Sequence, residues 1–176
     1  MKSFKQAAAH FGSLAAGGYK QNLSPILDMI GTAVKHEVQS EIGEYQPGVG
    51  PYPPMAPLAD ATLERKTEKG LGKTGDPNSP LWATGEFHDS IQTAKSISEL
   101  SVEVGTDREN VVAHELGTSN EPPRPIFGPS VLRALPPLLP AISAAAAMGI
   151  SGGVWKGLTA EAITHTNQGP GANIEP

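Results

Sequence analysis

Apolar residues recur at Ile26, Ile30, Ala33, Val34, Val38 and Ile42, while Lys35, Gln39 and Glu41 lie off that line. Steps of three and four place such residues on one face of a helix, and a face that apolar must be covered by the rest of the chain. Ser24-Pro25 has the form of its start, a capping hydroxyl followed by a proline in the first turn. The next stretch forbids another long helix. Glu44–Pro57 holds Pro47, Pro51, Pro53, Pro54 and Pro57 with Gly48 and Gly50, which neither a helix interior nor a central strand tolerates. Tyr45 and Tyr52 give this Pro-rich loop apolar surface to bury, as a plain linker or against a neighbour.

The other strong signals fall between Leu81 and Ser130. Leu81-Trp82-Ala83-Thr84-Gly85-Glu86-Phe87 predicts a short helix capped by the Thr84 hydroxyl, with Gly85 allowing the tight entry and Leu81 set against Phe87. After Ser90 and Ile91 the period shortens to two. Ile91, Thr93, Lys95 and Ile97, then Leu100, Val102 and Val104, predict an antiparallel hairpin turning at Ser98-Glu99, with one face buried. Asp107–Leu116 reads as a capped helix turning Val111, Val112 and Leu116 inward. Arg124-Pro125-Ile126-Phe127 leads into a helix with Pro129 at its first position. Arg124, held between prolines, is expected to anchor on a carboxylate such as Glu115 or on a helix C-terminus.

These blocks, in this order, resemble the neck and tail-completion proteins of tailed bacteriophages, a family of minor tail, head–tail joining and virion morphogenesis proteins. The similarity rests on Leu81, Thr84, Gly85, Phe87, Ser90 and Ile91, then on Val104-Gly105-Thr106. It continues in Glu115-Leu116-Gly117-Thr118 and Pro123-Arg124-Pro125-Ile126-Phe127, and upstream in Pro57-Leu58, Thr62 and Lys66. Phe87 stands where the family pattern has an aliphatic residue, and Leu116 where it has an aromatic one. The resemblance covers roughly Pro57–Leu135. It implies a structural virion protein, not an enzyme, in a ring at the head–tail junction that joins tail to head around the DNA channel. The implied ring is a hexamer, with a dodecamer as the alternative, assembled in the host cytoplasm. Its implied partners are a head–tail connector and a tail terminator or tail tube protein, with genomic DNA passing through unbound. The alternatives are a tail assembly factor or minor tail protein not retained at the neck, and a small metal- or phosphate-dependent hydrolase.

Composition bears on these classes. The chain has no cysteine, which removes disulfides, thiolate metal sites and cysteine nucleophiles. With 20 glycines and 17 prolines in 176 residues, it is expected to carry long loops or arms. The net charge is −5, and residues 81–130 account for it: Glu86, Asp89, Glu99, Glu103, Asp107, Glu109, Glu115 and Glu121 against Lys95, Arg108 and Arg124. Gripping DNA needs clustered cations, so this stretch is not expected to bind it tightly. Gly72-Lys73-Thr74 imitates the end of a phosphate-binding loop, but Thr67 stands where the motif needs its first glycine. His114-Glu115 imitates half of a zinc-binding helix, with Thr118 in place of the second histidine. No cofactor or metal is expected.

Both ends read as arms. In residues 1–20, Phe4, Ala7, Ala8, Phe11 and Leu14 share a helical face, either packed on the core or docked on a neighbour. A signal peptide is not expected there, since His10, Gly12 and Ser13 interrupt a weakly apolar run. Leu135–Ile150 is expected to be too short and too proline-broken to span a bilayer, and no membrane partner is foreseen. A helix from about Pro136 should end at Gly149, and residues 149–176 have too few apolar residues to fold alone. Val154, Trp155 and Leu158 are nonetheless large. The expected fold is α+β: a small antiparallel β-sheet packed against a long amphipathic helix over residues 21–148, flanked by extended arms. Phe4, Phe11, Tyr52, Trp155 and Leu158 are the expected subunit contacts.

Overall fold

A computed structural model of the chain describes Ala9 and residues 18–151. The fold is α+β. Its helices are α1 (Gly18–Glu41), α2 (Asp60–Glu68), α3 (Glu86–Asp89), α4 (Val111–Leu116), α5 (Phe127–Ala134) and α6 (Leu139–Ser151), with a 3₁₀ turn at Pro136–Leu138. One antiparallel hairpin, β1 (Gln92–Ser96) and β2 (Ser101–Gly105), forms the sheet among the described residues. Two compact units divide the chain. The larger comprises Ile30–Lys95 and Val102–Leu135; the other holds, among the described residues, 18–29, Ser96–Ser101 and 136–151.

The long helix forms as the apolar stripe requires, yet it begins at Gly18, and Pro25 lies inside it. Ser24-Pro25 is therefore not its start. Pro25 is exposed, so the carbonyl that loses its N–H partner four residues back can be reached by water, and the helix continues. Within the larger unit Val34, Val38 and Ile42 from α1 make one cluster with Met55, Ile91, Ile126 and Ala134. Val38, Ile42 and Ile91 are completely enclosed. The helix reaches the hairpin at Gly31, where an added Cβ would come within 2.7 Å of the Val102 side chain and 3.6 Å of Thr93. A missing side chain lets strand and helix touch.

That contact covers little of the hairpin. Every residue of β1 except Ser96 is exposed, and β2 is mostly half-buried. The wholly buried face expected from the alternation does not form, because two strands meeting a helix at a glycine have little to cover them. The expected tip is correct: residues 97–100 make the turn, with Leu100 at a φ of 52°.

The Pro-rich loop folds back onto its own chain. Val49 and Tyr52 exchange backbone bonds at 3.0 Å, Met55 N–H donates to the Gln46 carbonyl at 3.0 Å, and Met55 enters the core. Lys69–Pro80 likewise closes as a turn, with Ser79 and Pro80 buried and Pro80 accepting from Gly43 N–H at 2.8 Å.

A buried polar group sits beneath this core. Glu41 is 1% exposed, pairs through Oε1 with Arg133, and lies beside Ser130, which is 0% exposed. Arg133 also donates to the Pro47 carbonyl at 2.6 Å. Glu41 Oε2 and Ser130 Oγ are the described buried side-chain atoms left without a hydrogen-bond partner. Burial holds the Glu41 carboxyl above its usual range, and Arg133 offsets this in part.

In the second unit Ile26, Leu27, Met29, Leu138 and Ala145 are buried, and Lys20 donates to the Ser98 carbonyl at 2.7 Å. The helix α6 runs to Ser151, past the expected stop at Gly149. Pro136-Pro137 become a 3₁₀ turn, and Pro140 falls in the first turn of α6, where its missing N–H costs nothing. By length and composition alone, Phe127–Met148 is apolar enough to cross a bilayer, contrary to expectation. Its first part nevertheless buries Pro129, Ser130 and Ala134 and carries the paired Arg133, as a core helix does.

Candidate functional site

Four of the sequence blocks converge on one groove of about 640 Å³ in the larger unit. Leu58, Thr62 and Lys66 come from the first block, Leu81, Thr84 and Phe87 from the second, Thr118 from the third with His114 just before it, and Arg124 from the fourth. Segments distant in sequence thus meet at a single surface.

Arg124 holds them together. It is 5% exposed, and its guanidinium donates to the carbonyls of Ala56 (3.1 Å) and Pro57 (2.9 Å) and to Glu121 Oε1 (3.1 Å). Its own N–H donates to the His114 carbonyl at 2.6 Å. Glu121 Oε1 is shared with His114 Nδ1 at 2.8 Å. Arg124 is therefore an anchor as expected; its carboxylate is Glu121 and not Glu115, and it is the main-chain N–H, not the guanidinium, that meets the last turn of α4 at His114. Glu115 has another task. Its Oε1 accepts from the N–H groups of Ile126 (2.8 Å) and Phe127 (3.0 Å), capping α5 from a distant segment. A carboxylate at a helix N-terminus satisfies free donors and opposes the helix dipole. Phe127 is accordingly the first helical residue and Pro129 lies beyond it. Pro125 is half-buried between the two anchors.

The second block departs from expectation at its cap. Thr84 is exposed, and α3 is entered through Gly85, at a φ of 92°, without a side-chain cap. The left-handed backbone at Gly85 sets the entry, and Trp82 packs where a Cβ would project (3.3 Å). We expect Gly85→Ala to cost about 1–2 kcal/mol, while Thr84→Ala stays within about 0.5 kcal/mol of the parent. Thermal unfolding of the two variants side by side checks this. Equal losses would restore the threonine cap.

The remaining motif residues are structural in kind. Leu81, at a φ of 60°, and Phe127 pack on the core cluster. Ser90 Oγ donates to the Phe87 carbonyl at 2.8 Å and meets Thr106 Oγ1 at 2.7 Å, tying the end of α3 to the residue after Gly105. Gly117 turns the chain after α4 at a φ of 73°. Val111 is buried as expected, whereas Val112 and Leu116 are 63% and 76% exposed. A helix this short presents one residue per turn to its support, and Val111 takes that place. Tyr52 is half-buried, its hydroxyl seated on Gly128 of its own chain. The expected contacts Phe4, Phe11, Trp155 and Leu158 lie outside the described residues.

Lys66, 7% exposed, donates to the Ser79 carbonyl at 2.5 Å. Burial lowers its pKa, and Asp76 partly restores it. A lysine at the edge of a polar helix gave no sequence signal for burial, nor did Glu121 as the shared carboxylate. Lys73 stands over the Trp82 ring at 5.7 Å and pairs with Glu44 at 2.9 Å. Among the described residues, no three His, Asp or Glu side chains converge as metal ligands. No protein-family model, curated protein or solved structure matches the chain.

Proposed function

We propose that this chain is a structural virion protein of the phage neck or tail-completion type, forming part of a ring at the head–tail junction around the DNA channel. The convergence of its motif blocks carries this reading. Pro57-Leu58, Leu81–Ile91, Glu115–Thr118 and Pro123–Phe127 are joined by Arg124, Glu115 and the core as one supporting frame. Buried anchors and a distant helix cap fix backbone segments in place, which is what an assembly subunit needs from its framework. Copies in a closed ring meet through two different patches, so each subunit must present two unlike surfaces. The ring is a hexamer, or a dodecamer in the alternative. Its neighbours are a connector on the head side and a terminator or tube protein on the tail side.

Mass spectrometry of purified virions tests the placement. The chain should be present as a component of the mature particle. Its presence only in unfinished assembly intermediates would favour the assembly factor and overturn the structural role.

A further inference from the structure

From opposite charges left over on two separate surfaces, we infer how copies of this chain touch; the inference rests on the ring reading above. The groove contains Arg65, Lys66, Lys69, Arg108 and Arg124, with the carboxylates Glu86 and Glu121. Both carboxylates are already engaged. Glu86 pairs with Arg108 at 2.9 Å, and Glu121 serves Arg124 and His114. Lys66 is buried on Ser79. Arg65 and Lys69, four residues apart at the end of α2, are exposed, and no ion pair holds either among the described residues. A chain of net charge −5 therefore keeps two uncommitted cations on one wall of this groove.

The matching anions lie on the hairpin. Glu103 and Asp107 border a separate hollow of about 360 Å³ between β1 and β2, which shares no residue with the groove. Both are exposed, and neither is ion-paired among the described residues. The strand β1 beside them is largely exposed, so this face of the hairpin is open to another surface.

The occupant of the groove is the β1–β2 hairpin of a second copy, with Glu103 and Asp107 set against Arg65 and Lys69. Charge complementarity selects this partner and fixes its direction. Hairpin against hairpin opposes carboxylates, and groove against groove opposes cations. Groove against hairpin is attractive, and that contact is heterologous, so it continues from copy to copy until a ring closes.

The test uses the full chain and light scattering over a range of concentrations. The wild type should assemble. Arg65→Glu with Lys69→Glu, or Glu103→Lys with Asp107→Lys, should each weaken assembly at least about tenfold. All four positions are exposed, so melting temperatures should stay near the parent's. The chain carrying all four reversals should assemble again, because its groove is now acidic and its hairpin basic. Unchanged assembly in either pair variant, no recovery in the fourfold variant, or a monomeric wild type would overturn the contact. Presence in purified virions is read separately: a chain found there without this contact retains the ring reading, and a chain absent from them loses both.

Discussion

Replacing Arg124 with alanine should cost the larger unit about 3–5 kcal/mol, because a buried guanidinium that serves two carbonyls and a half-buried carboxylate is lost, at about 1–3 kcal/mol for each acceptor left short of its donor. The guanidinium is 5% exposed and feeds the carbonyls of Ala56 and Pro57 and the Glu121 carboxylate. Removing it leaves the two carbonyls without that donor and Glu121 with His114 alone. The link from the Pro-rich loop to the α4–α5 connection is lost with it. Lysine keeps the charge but cannot span three acceptors in a fixed fork, so Arg124→Lys should still cost about 1–3 kcal/mol. For a chain of this size the alanine loss corresponds to a fall in melting temperature of roughly 6–20 °C. A shift within about 2 °C would mean that the frame does not depend on this anchor.

Arg133→Met should rank beside it, and its cost should depend on pH. Methionine fills much of the volume but strands Glu41, which is 1% exposed, without its cation. At neutral pH the penalty of an uncompensated buried charge is about 3–5 kcal/mol. Burial already raises the Glu41 pKa above its usual 4.5 and Arg133 restrains the rise, so losing Arg133 raises it further. A carboxyl whose folded pKa is raised contributes fully below its unfolded value and loses that contribution as pH climbs through the folded one. The wild type therefore gives up some stability as Glu41 ionises, and the variant gives up more. The difference between them should shrink towards about pH 4, where the acid is neutral in both. A protonated Oε2 can also donate to Ser130 Oγ, pairing the two atoms that now lack partners. Denaturant unfolding at several pH values, with Glu41→Gln as the non-ionising reference, measures this. A gap that widened on acidification would contradict the assignment.

What could be read in advance followed from local chemistry. The stripe from Ile26 to Ile42 required a helix, the alternation from Ile91 to Val104 required a hairpin, and prolines excluded both from Glu44–Pro57. The structure keeps all three. Arg124 was identifiable as an anchor because flanking prolines fix its direction, yet the two carbonyls its guanidinium serves come from 67 and 68 residues away in the chain. Sequence spacing holds no record of such distances. Glu115 illustrates the same limit: it stands in a conspicuous block, but it caps a helix beginning at Phe127. Thr84 misled for the converse reason. A hydroxyl before a short helix is a frequent cap, but the left-handed turn at Gly85 directs the backbone without it. Pro25 misled because an exposed proline can sit within a long helix whose remaining bonds and buried face support it. Glu41 lay off the apolar stripe, where nothing local marks a residue for burial; only α5 arriving with Arg133 makes its burial possible.

The proposed placement at the head–tail junction meets its most direct test in electron microscopy of particles assembled without this chain. DNA-filled heads and separate tails that fail to join, or tails with faulty ends, are the expected result, and supplying the chain should restore joining. Intact particles with heads and tails joined in normal number would contradict the account.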